Sequence, residues 1–167
     1  MVLALGLLYC LSLMAAQPPP EIPVLPALAG ITVKAWPIQS ETRQELTREY
    51  SLLHYGINDW QLHDPQLIII HYTGTDSDQV SLSVFKPAHL GASRPDIVAG
   101  GDLNVGVHYL ITRDGTVWSL LPETAMGRHA IGYNHIALGI EMTGSAGSKL
   151  NAAQLRSCTA LVADIAQ

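Results

Sequence analysis

The sequence predicts an α/β domain, a mixed central sheet with helices packed against it. Three observations predict it. A branched apolar run, Leu67-Ile68-Ile69-Ile70, lies between Pro65 and Gly74, and its shortness suits a strand better than a helix. Two further apolar stretches flank Arg113-Asp114-Gly115-Thr116, whose Asp-Gly pair signals a tight hairpin. Helical periodicity precedes and follows these strands, over residues 41–55 and from Asn151 onward.

Composition narrows the function classes. A chain of 167 residues with 48% apolar and 14% charged residues is globular and of single-domain size. A net charge of −5 without a basic cluster argues against binding nucleic acid through phosphates. It leaves a neutral glycan or a short peptide open as ligand.

Residues 1–16 are an apolar run too short to span a bilayer comfortably. The run ends at Ala15-Ala16 and breaks at Pro18-Pro19-Pro20, the pattern of a signal peptide cut near Ala16, although no Lys or Arg precedes it. Gly6 and the prolines disfavour the alternative of a buried helix. Leu7-Leu8-Tyr9-Cys10 faintly resembles a lipoprotein cleavage box, with Tyr9 too bulky for its position. Residues 17–39, with Pro23, Pro26 and Pro37, read as an extended linker or surface arm, and residues 40–167 as the domain proper.

Within that domain, Thr42 and Glu45 have capping-box spacing. Leu46, Tyr50 and Leu53 make one apolar stripe, and Gly56 closes the helix. Residues 67–70 then predict a strand buried on both faces, with His71 at its end and Tyr72-Thr73-Gly74-Thr75-Asp76 leaving as a loop. Residues 76–104 predict a long loop with one helical turn, walling a groove. Strands follow at 105–112, 117–121 and 136–142, the last interrupted by Gly139. Asn151 caps a final helix with Leu155, Cys158, Leu161, Val162 and Ile165 on one face. That amphipathic pattern still runs at Gln167 with no stop signal, so the domain is expected to continue beyond it. Of two cysteines, Cys10 lies in the signal segment, which leaves Cys158 as a buried thiol and no disulfide framework.

Four short segments carry the chemistry in order: Ile70-His71-Tyr72-Thr73; Val107-His108-Tyr109-Leu110-Ile111 with Arg113-Asp114-Gly115; Arg128-His129-Ala130-Ile131-Gly132-Tyr133-Asn134-His135; and Leu138-Gly139-Ile140-Glu141. Together they resemble the type-2 N-acetylmuramoyl-L-alanine amidases, a fold shared by phage wall-lytic amidases and peptidoglycan recognition proteins. The resemblance implies zinc-dependent hydrolysis of the amide between N-acetylmuramic acid and L-alanine. Zinc lowers the pKa of bound water and polarises the carbonyl.

The resemblance also implies site residues. His71 is the first zinc ligand and Glu141 the general base, where an ordinary solvated Glu is the plain alternative. The remaining ligands are expected beyond Gln167, so the chain is expected to bind zinc weakly and to have little amidase activity. Tyr72, His129 and Asn134 are candidate groove residues. His129 stays open between groove and plain polar residue, and turn chemistry alone also explains Asn134. His108 reads as a hydrogen-bonded core residue, and His54, His63 and His89 as surface or packing residues. The implied partner is peptidoglycan or a muropeptide, the implied location periplasmic or extracellular. A non-catalytic peptidoglycan-binding module is the alternative.

Overall fold

The structure is a computed structural model that describes residues 30–92 and 94–167. The expected signal peptide, Cys10 and most of the proline-rich arm lie outside the described residues. Five strands form one mixed sheet in the order β1-β4-β3-β5-β2. They are β1 (Val33–Ala35), β2 (Leu67–Tyr72), β3 (Tyr109–Ile111), β4 (Val117–Ser119) and β5 (Ala137–Met142). Three α-helices accompany them: α1 (Glu41–Tyr55), α2 (Asp78–Phe85) and α3 (Ala152–Ile165). Only β3 and β4 run antiparallel, across the turn at Gly115, whose φ of 85° favours glycine. No helix of the described residues is long and apolar enough to cross a membrane.

Alternation along the strands divides the core. Tyr109, Ile111, Ile140 and Met142 pack with Cys158 and Leu161 of α3 on one face. Val107, Leu110 and Leu120 pack with Leu82 and Phe85 of α2 on the other. Asn151 caps α3 in a capping box with Gln154. Gly56 closes α1 in the left-handed region, as its position predicts.

Several expectations need correction. Residues 67–70 are not buried on both faces: β2 is the sheet edge, with Leu67 39% and Ile70 48% exposed. An apolar run does not say whether a strand has one neighbour or two. The arm contributes β1, which pairs with β4. The region 76–104 holds the eight-residue α2, capped by Ser77, as well as a short 3-10 turn, Val98–Gly100. Strands 105–112 and 117–121 are shorter than expected, and Leu155 on α3 is 49% exposed while Gln154 and Ser157 are buried.

Helix α1 departs furthest. Ser40, not Thr42, is its N-cap and accepts from Arg43 N at 3.1 Å. Its buried face is Arg43, Thr47, Tyr50 and Ser51, while Leu53 is 66% exposed. Arg43, 2% exposed, explains the docking. Its Nε donates to Ile38 O (3.1 Å), Nη1 to Asn104 O (3.3 Å), and Nη2 to Phe85 O (2.8 Å) and Pro87 O. One guanidinium thus satisfies carbonyls from the β1–α1 connection, the end of α2 and the loop before β3. Burial lowers its pKa to about 10, still charged at neutral pH. Arg43→Met should strand those carbonyls and lower stability by about 3 kcal/mol or more, read as a fall in the urea midpoint.

Candidate active site

The site grows from the register of two parallel strands. His71 of β2 is the partner of Glu141 of β5, and Glu141 is in turn the partner of Leu110 of β3. Leu110 packs against α2, so all three residues belong to that face of the sheet. Ala137, Gly139 and Glu141 alternate with Leu138 and Ile140, which enter the opposite core, as the sequence pattern suggests.

Gly139 makes room for an imidazole. A Cβ there would lie 2.8 Å from His129 Cγ, so the ring occupies the space a side chain would fill. His129 Nε2 lies 3.2 Å from Ala137 O, an acceptor only, so this nitrogen carries the proton. The bare Nδ1 then faces His71 Nε2 at 3.2 Å. Burial brings His129 down to about 4 and lowers His71 as well, so both rings are neutral at pH 7.

His108 is a core residue, as the sequence suggests. Its Nδ1 accepts from Gly139 N at 2.9 Å, its Nε2 donates to Ala125 O at 2.8 Å, and burial pulls its pKa to about 3. Both ring nitrogens are occupied, and it is fully buried.

Glu141 is different. Its Oε2 is buried and finds no hydrogen-bond partner among the described residues. Desolvation pushes its pKa up to about 7. A carboxyl in that range can hold or release a proton near neutral pH, which an ordinary exposed glutamate cannot do. The carboxylate and His129 line a cleft of about 190 Å³, together with Thr73, Thr75, Phe85 and Arg94. A second cleft, about 410 Å³, runs past His71, Tyr72, Met142 and Leu150 at the β2 edge. Ser145, which lines the second cleft, is held by Asp76, which accepts from Ser145 N (3.1 Å) and Ser145 Oγ (2.9 Å).

His71, His129 and Glu141 therefore come together. Tyr72 pairs with Met142 and so belongs to the opposite face of the sheet, 59% exposed on the second cleft. Asn134 does not reach a groove: it is fully buried, with its side chain bonded to His129 N, Ala130 N and Tyr50 Oη. Sequence reading missed the roles of Tyr50 and Arg128. The signal for the His129 approach was present, a glycine inside a strand, without any indication of what approaches it.

A catalytic zinc takes three protein ligands and keeps one position open. Among the described residues no three of His, Cys, Asp or Glu stand close enough to hold an ion. His71 fits such a site as one donor, and the described residues do not complete the set.

Gly139→Ala should drive His129 off the sheet, lowering stability by about 1–3 kcal/mol and breaking the His71–His129 contact, read by denaturation and imidazole NMR. Glu141 predicts a pH dependence. A carboxyl whose folded pKa is raised to about 7 from 4.5 contributes stability fully present below 4.5 and lost as pH rises through 7. Glu141→Gln lacks that loss. Its advantage over the parent protein should therefore grow between those pH values, to up to about 3 kcal/mol at pH 8, measured by paired urea titrations.

Comparison with known proteins places this geometry. The family described as N-acetylmuramoyl-L-alanine amidase matches residues 61–167. The endolysin of Escherichia phage T7 is 47% identical over 49 residues, 29% of this chain and 32% of that protein. The endolysin of Klebsiella phage KP32 is 41% identical over 51 residues, 30% and 34% respectively. The chain thus spans about a third of the length of these relatives. Among solved structures, the amidase endolysin LysCS from Clostridium intestinale URNW superposes with a TM-score of 0.52 at 23% identity, covering 79% of this chain and 72% of that one. A selenomethionine derivative of AmpD gives 0.51 at 19%, covering 76% and 70%. At such identities the superpositions speak for the fold alone. The match over residues 61–167, with the fold these structures share, shows that the chain belongs to the N-acetylmuramoyl-L-alanine amidase family.

Proposed function

We propose that this chain carries the proton-transfer part of a peptidoglycan amidase centre, acting on the amide between N-acetylmuramic acid and L-alanine. The observation that supports it is Glu141: a half-buried carboxylate whose buried Oε2 has no partner among the described residues, with a pKa near 7, in register with His71 and lining a cleft. In the carboxylate form Glu141 takes a proton from the attacking water. In the acid form it returns that proton to the departing L-alanine nitrogen, which must leave as a neutral amine. The neutral His129 fixes His71 through its bare Nδ1. In this reading His71 is a zinc ligand, and zinc, when bound, supplies an acidified water and a polarised carbonyl. In this reading the protein is exported, periplasmic or extracellular, and the signal-peptide pattern of residues 1–16 is what supports that.

The incomplete donor set among the described residues favours a second reading, a module that binds muropeptide without cleaving it. One experiment separates the two. The purified chain is incubated with peptidoglycan with and without added zinc. Retention on the wall and released peptides bearing a free L-alanine amino terminus are then measured by mass spectrometry. Zinc is expected to bind weakly and little peptide to be released without it. Zinc-stimulated release that Glu141→Gln cuts by about 10²–10⁴-fold supports the amidase. Retention without release supports the binding module. Neither retention nor release sinks both readings, and tight one-to-one zinc after dialysis contradicts the incomplete donor set.

A further inference from the structure

We propose that Tyr50 of α1 is a positioning residue for the candidate site: its phenol anchors Asn134, and Asn134 holds the backbone that aims His129 at His71. Tyr50 lies outside the matched segment 61–167, on a helix that carries no site residue of its own. It is nonetheless 4% exposed and points inward.

The path is continuous. Asn134 Nδ2 donates to Tyr50 Oη at 3.0 Å. Asn134 Oδ1 accepts from His129 N at 2.9 Å and from Ala130 N at 2.7 Å. The amide orientation follows, because only its oxygen can accept from two backbone N–H groups. That leaves the NH₂ directed at the phenol. The backbone held in this way carries the His129 ring, whose Nε2 donates to Ala137 O and whose Nδ1 meets His71 Nε2.

Tyr50 is itself held. The Arg128 guanidinium carbon lies 5.0 Å from the Tyr50 ring centroid, and the His54 ring centroid lies 4.2 Å from it. Arg128 immediately precedes His129 and donates to Ile97 O (2.6 Å), Gly101 O (2.9 Å) and Leu103 O (2.6 Å). The turn from Arg128 to Asn134 therefore touches Tyr50 at both ends. Without the phenol oxygen, the buried Asn134 NH₂ loses this acceptor, and its amide holds the two N–H groups it orders less firmly.

This inference concerns the arrangement of His129 and does not depend on hydrolysis, so its test uses neither metal nor substrate. The ¹⁵N imidazole shifts of the full chain are recorded at pH 7.5. In the parent protein His129 should show one tautomer, protonated at Nε2. Tyr50→Phe removes a single oxygen and should make the two His129 nitrogen shifts converge, as tautomers and ring positions average. Asn134→Ala should do so more strongly where it folds. Thr47→Ala serves as the control, because Thr47 sits buried on the same helix and, among the described residues, its hydroxyl bonds only to Arg43 O. An unchanged His129 signal in folded Tyr50→Phe overturns the assignment, whatever Asn134→Ala shows. An equal change in Thr47→Ala overturns it too, since loss of helix stability would then explain the effect.

Discussion

Parallel pairing of β2 with β5 is the constraint on which the site depends. Its register sets His71 beside Glu141 and sends both toward α2. Side chains alternate with a period of two, so a slip of one residue would bury one of them in the α3 core and expose the other. The register is held because the remaining residues of β5 have places of their own: Leu138 and Ile140 enter cores, and Gly139 receives an imidazole ring. Chemistry at Glu141 therefore inherits its precision from hydrophobic burial on the opposite face of the same strand.

Around that register the protein arranges neutrality. His71, His108 and His129 are all pushed toward the uncharged form by burial, and Glu141 is pushed the same way. Burial acts in opposite directions on bases and acids, so one dry environment leaves neutral imidazoles beside a carboxyl poised near pH 7. The two deeper histidines have fixed tautomers because each meets a backbone carbonyl, which can only accept. Glu141 has no such partner, and this separates a group able to exchange a proton from groups that hold a shape.

Helix α1 shows how polar residues can dock an element. Leu52 and Leu53 are exposed, while Arg43 and Tyr50 reach into the domain and bond to carbonyls and to Asn134. A buried guanidinium with several carbonyl partners specifies one docking geometry more narrowly than a greasy stripe, because each lost partner leaves a desolvated polar atom.

The sequence alone determined the α/β class, the positions of α1, β2, the β3–β4 hairpin, β5 and α3, the family and the choice of His71 and Glu141 as leading candidates. Those features rest on local periodicity, turn chemistry and short motifs, which are written in neighbouring residues. Tertiary structure decided what depends on distant partners. It made β2 an edge strand, turned α1 by Arg43, put an imidazole where Gly139 has no side chain, and withdrew Asn134 from the groove into the interior. A run of isoleucines looks the same with one neighbour or two, and an asparagine in a turn looks the same facing solvent or a buried phenol. Burial and hydrogen-bond partners are properties of the folded contacts, and these join residues as far apart as Tyr50 and Asn134.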